Sequence, residues 1–255
     1  MELRLCYLEP TFSSRPTKRG DVVAVVKRCL WRGIDLRLAE MTPADAPDFP
    51  RYDLVFIGGG GAAERHFLVR DMRWLRRSGF IEAVEAGVVT LALGGAYPLL
   101  GRYQQTARRT IEGLGLLDLW TEPGETPLRG LLATHVRLPN LDTYLVGHES
   151  HRSRTHLGHY AKALGHVLNG GGNNSEDGSD GAVYKNLFAS YLQGPLLPRN
   201  PEFLDYLFQL ALERKYGQEF YLPPMPNLLE DRAHQVLLRR MHLEEEAQTS
   251  PPSTC

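Results

Sequence analysis

The feature that most constrains the fold is an alternation of short apolar runs with segments whose apolar residues recur at helical spacing. The runs typical of buried strands cover residues 3–8, 34–38, 52–57 and 88–93, and the helical segments cover residues 21–32, 62–77 and 81–86. Asp21 is placed to cap the first helix and Gly33 to end it. This order predicts an α/β fold with a mainly parallel sheet flanked by helices. In such sheets, ligands bind beyond the carboxyl ends of the strands.

The C-terminal part of the chain has a different pattern. Residues 130–146 and 147–168 contain shorter strand-like pieces, and a polar glycine-rich loop at 170–181 precedes a last strand at 187–192. Two amphipathic helices follow, one at 201–215 with proline in its first turn and one at 227–241. No linker divides the chain, so we expect a single domain over residues 1–241. From residue 244 onward the chain lacks apolar side chains, and we expect residues 242–255 to form a disordered tail.

Composition excludes several classes of function. The chain has 255 residues, a formal net charge of −1 and a pI near 6.8, which gives no reason to expect nucleic acid or an anionic membrane surface as partner. Its three cysteines, Cys6, Cys29 and Cys255, show no paired spacing and indicate a reducing compartment. The first residues resemble no signal peptide, and no window reaches the length of a membrane span. We therefore expect a cytoplasmic protein without membrane insertion.

A run of four glycines follows the third strand-like segment: Gly58, Gly59, Gly60 and Gly61. The run satisfies a loose dinucleotide-binding fingerprint, in which backbone N–H groups approach a pyrophosphate. However, it follows a later strand rather than the first, and the next acidic residues fall on a predicted helix rather than at a strand end. The pattern therefore favours a tight turn, or a turn whose backbone amides face a small anionic group.

Five histidines crowd into a short segment that also contains Glu149: His148, His151, His156, His159 and His166. Two H-x-x-H spacings suggest a metal site, but neighbouring side chains of an extended segment point to opposite faces. No cysteine and no suitably placed acidic residue completes the usual set of metal ligands beside these histidines. We therefore favour surface and structural histidines and expect no bound metal.

The stretch LALGGAYPLLG at residues 91–101 leads from an apolar strand through a glycine pair into the start of a helix. Turns of this kind present a nucleophile at the tip of a sheet, beside backbone N–H groups that stabilise an oxyanion. Glycines also suit a tight strand-to-helix turn on conformational grounds alone. Such an enzyme needs a nucleophile at the turn, an adjacent base and backbone donors for an oxyanion, and this stretch supplies only the backbone donors.

Six motifs, taken in order, resemble a known family: LVFIGGGGAAER (54–65), LALGGAYPLLGRY (91–103), EGLGLLDLWTE (112–122), HESHRSRT (148–155), LGHVLNGGGNN (164–174) and YKNLFASYLQGPLLPRNP (184–201). The family is the class I glutamine amidotransferases of the cobyric-acid-synthase type. More narrowly, the chain is similar to the amidotransferase subunits of lipid II isoglutaminyl synthases. The resemblance implies a flavodoxin-like three-layer domain. It also implies a heterodimer with a Mur-ligase-like protein that amidates the glutamate of the peptidoglycan stem peptide.

The reactive residues of that family are replaced in this chain. The family's cysteine nucleophile falls on Gly94, or on Leu93 if the match is shifted by one residue, and neither side chain can attack a carbonyl. The family's base, the histidine of a Tyr-Leu-His-Gly-Pro motif, falls on Gln193, which has no useful basicity near neutral pH. An arginine that the family uses near substrate falls on Pro127, although Arg129 is close by.

Part of the family's architecture is retained. The candidates for the oxyanion region or a ligand pocket are Gly58, Gly59, Gly60, Gly95 and Arg129. No other residue is expected to replace the nucleophile, because Cys6 and Cys29 are predicted to be buried, inert thiols and Thr90 lies within a strand.

The sequence thus predicts a catalytically degenerate amidotransferase-like subunit, a structural or regulatory partner of a Mur-ligase-like protein, with no cofactor. Its pocket is a candidate site for glutamine or another small amino acid that is bound without hydrolysis. One alternative is an active glutamine-hydrolysing subunit that supplies ammonia through rearranged residues. A further alternative, ranked lower, is a nucleotide-binding enzyme that uses the glycine run.

Overall fold

The computed structural model describes residues 1–8, 20–41, 45, 47–58, 77–217 and 220–243. Its strands are β1 (Glu2–Leu8), β2 (Asp35–Met41), β3 (Leu54–Ile57), β4 (Val89–Leu93), β5 (Tyr103–Gln105), β6 (Thr110–Glu112), β7 (Leu119–Leu138), β8 (Leu141–Leu157), β9 (Gly165–Asn169), β10 (Ser179–Asp180), β11 (Ala182–Tyr184) and β12 (Leu187–Ser190). Its α-helices are α1 (Gly20–Trp31), α2 (Arg77–Glu85), α3 (Pro201–Tyr216) and α4 (Leu228–Arg240). The helix predicted at 62–77, apart from its last residue, and the tail from residue 244 lie outside the described residues.

The first sheet has the strand order β11-β12-β4-β3-β1-β2. Every neighbouring pair in it is parallel except β11 with β12. This confirms the predicted α/β fold with a mainly parallel sheet. Among the described residues, no helix combines the length and the apolar character needed to cross a membrane.

Helices cover both faces of this sheet. The side chains of β1, which point alternately to the two faces, illustrate this. Leu3, Leu5 and Tyr7 pack into a buried cluster that also contains the apolar faces of α1 and α3. Cys6 and Leu8 point to the opposite face and pack into a second cluster, which includes α2. Because successive side chains of a strand alternate between faces, one strand contributes to both cores and the domain has three layers.

The order of the strands determines where the candidate site lies. β4 and β12 are parallel neighbours, and Leu93 pairs with Ser190 at their carboxyl ends. The residues that follow each strand therefore emerge at the same edge of the sheet, where ligands bind in open α/β sheets. Gly94 follows β4, and Gln193 follows β12.

The C-terminal strands are longer than predicted. β7 and β8 form one long antiparallel hairpin, so the division of residues 130–168 into shorter pieces was wrong. Gly147 does not end a strand: a Cβ at this position would lie 3.0 Å from Leu192 Cδ2, so the glycine permits close packing of β8 against the chain after β12. The hairpin belongs to a second sheet of order β10-β9-β7-β5-β6, in which β8 pairs with β7.

The ends of α1 follow the prediction only in part. Gly33 ends the helix with φ +64°, a conformation that glycine adopts without strain. Asp21 is not the N-cap, because the helix begins at Gly20 and places Asp21 in its first turn. The Asp21 carboxylate instead accepts a hydrogen bond from the Leu197 N–H at 2.6 Å, which attaches α1 to the chain after β12.

Candidate functional site

The glycine turn after β4 has the backbone geometry of a nucleophile elbow. The strand is buried up to Ala92, and Gly94 then adopts φ +58° at the start of a 3-10 helix that runs to Leu100. A residue with a side chain adopts this left-handed conformation only at a conformational cost. Gly94, rather than Leu93 with its ordinary extended φ of −113°, therefore occupies the strained position of the turn.

Gly94 faces Gln193 across the edge of the sheet. A Cβ built on Gly94 would lie 3.8 Å from Gln193 Oε1, and apart from the neighbouring backbone no other atom of the described residues lies within 4 Å of it. With respect to the described residues, a side chain at position 94 would thus enter space that only the side chain at position 193 approaches, in van der Waals contact with it. The structure therefore brings together the two positions that the sequence singled out.

Backbone contacts on both sides fix the position of Gln193. Its N–H donates to the His148 carbonyl at 2.9 Å and its carbonyl accepts from the His148 N–H at 3.1 Å, which forms a short bridge to β8. Gly194 then turns with φ +83°, and Pro195 packs so tightly on Gly20 that a Cβ there would lie 2.5 Å from the proline ring. The side chain at position 193 is thus presented from a well-anchored turn.

His148, whose backbone is bonded to Gln193, is a candidate for a replacement base, but its ring is already engaged. Arg199 Nη1 lies 3.1 Å from His148 Nδ1. Because a guanidinium can only donate, the histidine nitrogen must accept this hydrogen bond. Burial and the positive charges of Arg199 and Arg240 lower the pKa of His148 below its ordinary value. The imidazole is therefore neutral near pH 7, and its Nδ1 lone pair is held by an arginine.

Glu149 has a structural role that the sequence did not reveal. Its buried carboxylate accepts hydrogen bonds from the N–H groups of Gly171 at 2.7 Å and Gly172 at 3.1 Å. His151 Nε2 lies 3.5 Å from the same carboxylate, and its ring stacks on Tyr191 with 3.7 Å between centroids. Glu149 thus ties β8 to the glycine-rich loop. The one signal in the sequence for this contact was the glycine-rich loop at 170–181.

Two of the other clustered histidines lie on strands of the second sheet. His156 stacks on Trp120 with 5.6 Å between ring centroids, and His166 belongs to β9. Within the ranges that the structure describes, no group of three or more histidine, cysteine, aspartate or glutamate side chains is arranged to hold a metal ion.

The oxyanion and pocket candidates have different surroundings. The Gly58 N–H donates to the Leu8 carbonyl at 3.3 Å, so this donor is used within the sheet. Gly95 lies in the 3-10 helix directly after Gly94. Arg129 is exposed on β7, opposite Ser150 of β8. Gly59 and Gly60 lie outside the described residues.

No cysteine among the described residues is placed to replace the nucleophile. Cys6 is buried within β1, and Cys29 is buried on the inner face of α1. Burial raises the pKa of the Cys29 thiol to about 12, so this group is a thiol rather than a thiolate near neutral pH. Thr90 lies inside β4, where its hydroxyl donates to the Val88 carbonyl at 3.2 Å.

Comparisons with known structures support the three-layer fold. The chain is similar to PurLQS from Thermotoga maritima with a TM-score of 0.58 and 14% identity, covering 84% of this chain and 99% of that one. It is also similar to a glutamine amidotransferase from Thermotoga maritima with a TM-score of 0.52 and 15% identity, covering 97% and 99% of the two chains. At these identities, the likeness shows the fold alone.

Sequence comparisons identify the family. The CobB/CobQ-like glutamine amidotransferase domain matches residues 32–201. The chain is 36% identical over 231 residues to the lipid II isoglutaminyl synthase (glutamine-hydrolyzing) subunit GatD of Staphylococcus aureus (strain N315), covering 89% of this chain and 91% of that protein. It is 34% identical over 183 residues to the subunit of the same name from Streptococcus pneumoniae (strain ATCC BAA-255 / R6), covering 71% and 70%. These matches confirm the resemblance inferred from the motifs, and the chain belongs to the CobB/CobQ-like glutamine amidotransferase family.

Proposed function

We propose that this protein is a catalytically degenerate glutamine amidotransferase-like subunit that keeps the fold of its family without hydrolysing glutamine. One observation carries the proposal. At the elbow, a glycine with φ +58° faces a glutamine amide 3.8 Å from the position of its missing Cβ. The place of the nucleophile therefore holds a hydrogen atom, and the place of the base holds an uncharged amide.

The chemistry of glutamine hydrolysis requires more than this site offers. Release of ammonia through a covalent intermediate needs a nucleophile that attacks the carboxamide carbon and a base that accepts the nucleophile's proton. Gly94 has no attacking atom, and the Gln193 amide does not accept a proton near neutral pH. His148 is an unsuitable substitute, because its Nδ1 already accepts a hydrogen bond from Arg199. Loss of both groups from one centre removes the covalent route, not only part of its rate.

The likeness to two GatD subunits supports a role within a complex. By this proposal, the chain is a structural or regulatory partner of a Mur-ligase-like protein in the amidation of the peptidoglycan stem peptide, in the cytoplasm. The ligase would take free ammonia, since the subunit described here would release none. By the same proposal, the site in front of Gly94 binds a small amino acid such as glutamine without hydrolysing it, which is supported by the absence of any described side chain other than Gln193 within 4 Å of a Cβ built on Gly94.

The test compares two nitrogen sources. The full chain is purified together with the Mur-ligase-like protein of the same organism, and amidation is measured with ammonium and with glutamine. We expect amidation with ammonium and background activity with glutamine. The proposal fails if the purified subunit releases glutamate from glutamine at a rate that substitution of Gly94 or Gln193 alters.

Restoration of the reactive groups at positions 94 and 193 tests the same centre by a gain of activity. The double variant Gly94→Cys with Gln193→His is expected to hydrolyse glutamine, and each single variant is expected to remain near background. A positioned general base contributes roughly 100- to 10,000-fold to such a step, so the double variant should exceed Gly94→Cys by a factor in this range. A glutamine-mimicking electrophile that labels one residue of the wild-type chain would instead support an active enzyme with rearranged residues.

A further inference from the structure

His151 is a buried histidine whose two ring nitrogens both face oxygen atoms. Only 8% of its side chain is exposed, and its ring stacks on Tyr191 with 3.7 Å between centroids and 10° between planes. Nδ1 lies 3.1 Å from the Ser153 carbonyl oxygen, and Nε2 lies 3.5 Å from Glu149 Oε2. The proposed function gives this ring no part, so its surroundings need a reason of their own.

The contact at Nδ1 determines where the proton of the neutral ring lies. A carbonyl oxygen can only accept a hydrogen bond, so Nδ1 carries the hydrogen and donates it to Ser153. In the neutral ring, Nε2 then presents a lone pair to the Glu149 carboxylate, and two acceptors that face each other in a buried place are unfavourable. In agreement, Nε2 has no hydrogen-bond partner among the described residues. A second proton on the ring would convert this contact into an ion pair.

The carboxylate beside the ring has no permanent cation as partner. Glu149 is 4% exposed, and within the described ranges it forms no ion pair with a lysine or an arginine. Asp180 of β10 is a second buried carboxylate, and burial, followed by the charge of Glu149, raises the pKa of Asp180 to about 6. The other titratable groups that packed elements bring to this cluster are Tyr191 and Tyr97, and neither is a source of positive charge. A protonated His151 would therefore supply the positive charge that these two carboxylates lack.

The histidine and the carboxylate are connected to both sides of the degenerate centre. Glu149 holds the glycine-rich loop through two backbone N–H groups. In the same loop, Asn173 Oδ1 accepts a hydrogen bond at 3.1 Å from the hydroxyl of Tyr97, which belongs to the 3-10 helix that begins at Gly94. The imidazole ring itself packs on Tyr191, two residues before the turn that presents position 193. A change at the ring thus reaches the segments that carry both positions of the centre.

We propose that protonation of His151 is a switch that ties the glycine-rich loop more firmly to β8 and so stiffens the support of the centre. On protonation, Nε2 donates to Glu149 Oε2, and the 3.5 Å contact becomes a charge-assisted hydrogen bond. The imidazolium also lies over the face of Tyr191, where cation–π attraction adds to the stacking. Histidine is the side chain that ordinarily changes charge between about pH 5 and 8, so the loop is held more firmly toward the acidic end of this range. The switch goes beyond the proposed function and would operate whether or not the chain hydrolyses glutamine.

The experiment follows protonation of the ring and opening of the loop in the same sample. The full chain is labelled with nitrogen-15, and long-range proton–nitrogen spectra report the protonation of each imidazole nitrogen between about pH 8 and 5. The His151 signals are identified by their contacts with the Tyr191 ring and by their loss from His151→Gln. Amide exchange of Gly171 and Gly172 is measured over the same range and corrected for its intrinsic dependence on pH.

Two controls accompany the measurement. The Gly33 amide, which donates to the Leu30 carbonyl at the end of α1, is the internal reference for exchange. The control variant is His159→Gln, because His159 is an exposed histidine in the turn after β8.

We expect exchange of the two loop amides to slow by at least about 10-fold as His151 Nε2 gains its proton, with the same midpoint, since a charge-assisted hydrogen bond contributes at least this factor. This step should be absent from His151→Gln and present in His159→Gln. The Gly33 amide should show no step at that midpoint.

Titration of Asp180 is the alternative source of such a step, and the variants separate the two groups. A step that persists in His151→Gln would belong to another group and overturn the inference. The inference also fails if Nε2 stays unprotonated down to about pH 5, or if its protonation leaves both loop amides unchanged. Should His151→Gln not fold, Asp180→Asn gives the answer, because the step persists in that variant if His151 is the switch and disappears if Asp180 is its source.

Discussion

Replacement of Gly94 by alanine is expected to lower the free energy of unfolding by about 1 kcal/mol, purely through backbone conformation. For a residue with a Cβ, the left-handed region costs about 1–2 kcal/mol. The lower conformational entropy of the unfolded alanine chain offsets part of this cost. The described residues add no steric cost, because the nearest of their atoms to the new Cβ, apart from the neighbouring backbone, is Gln193 Oε1 at 3.8 Å. For a chain of this size, the melting temperature should fall by about 2–4 °C.

Two control variants separate conformation from packing. Gly33 has φ +64°, and beyond its chain neighbours no atom in the part of the chain that the structure describes lies within 4 Å of its built Cβ, so Gly33→Ala should be destabilising by the same small amount. Gly101 has an ordinary φ of −81°, but its Cβ would overlap Leu119 Cδ1 and lie 2.6 Å from the Leu119 carbonyl oxygen. Gly101→Ala should therefore be destabilising by about 3 kcal/mol or more through overpacking.

The measurement is chemical and thermal unfolding of the three variants under identical conditions. If Gly94→Ala matched Gly101→Ala, the space in front of the elbow would be filled, and the claim of an open reaction centre would be wrong. If Gly94→Ala were neutral while Gly33→Ala was destabilised, residue 94 would not hold the left-handed conformation.

Three further substitutions test the surroundings of the site. Glu149→Gln should lower the free energy of unfolding by about 2–3 kcal/mol in denaturant titrations, since an amide cannot accept both backbone hydrogen bonds, whereas Glu85→Gln at an exposed ion pair should change it by less than about 1 kcal/mol. Tyr191→Phe should be destabilising by about 1 kcal/mol in the same assay, because it removes the hydroxyl that lies 2.6 Å from Thr155 Oγ1. Burial raises the pKa of Asp180 from its ordinary 3.8 to about 6, so its stabilising contribution is complete below pH 3.8 and is lost as the pH rises through 6. In the wild type, this group should make the free energy of unfolding fall by roughly 3 kcal/mol between pH 4 and 7. Asp180→Asn should remove that fall, and an unchanged dependence of the free energy of unfolding on pH would contradict the raised pKa of Asp180.

The position of the site could be predicted because it depends on local rules. Unbroken apolar runs identified β4 and β12, and parallel neighbouring strands deliver their carboxyl ends to one edge, so Gly94 and Gln193 had to meet if the two strands were adjacent. The strained turn was also visible in the sequence, since a glycine pair after a strand is typical of one.

What the sequence did not reveal depends on contacts between distant segments. Gly147 resembled a strand boundary, whereas it lies in the middle of β8 and permits close packing against Leu192. His148 resembled a surface residue, and nothing in its local pattern indicated that Arg199 would hold its ring nitrogen. Asp21 resembled a helix cap, but its carboxylate is satisfied by the backbone of Leu197, far along the chain. Such pairings are determined by the tertiary fold, so periodicity and spacing do not encode them.

Loss of the nucleophile also affects the stability of the folded chain, and the double variant with the reactive groups restored can measure this effect. At φ +58°, a cysteine is strained and a glycine is not, so a chain with glycine at position 94 avoids about 1–2 kcal/mol of conformational cost. The double variant with Gly94→Cys and Gln193→His should therefore gain glutamine hydrolysis and lose stability together, with a melting temperature about 2–4 °C below the wild type. Stability that rose in the active variant would show that the elbow is unstrained, and replacement of the cysteine would then need a reason other than relief of strain.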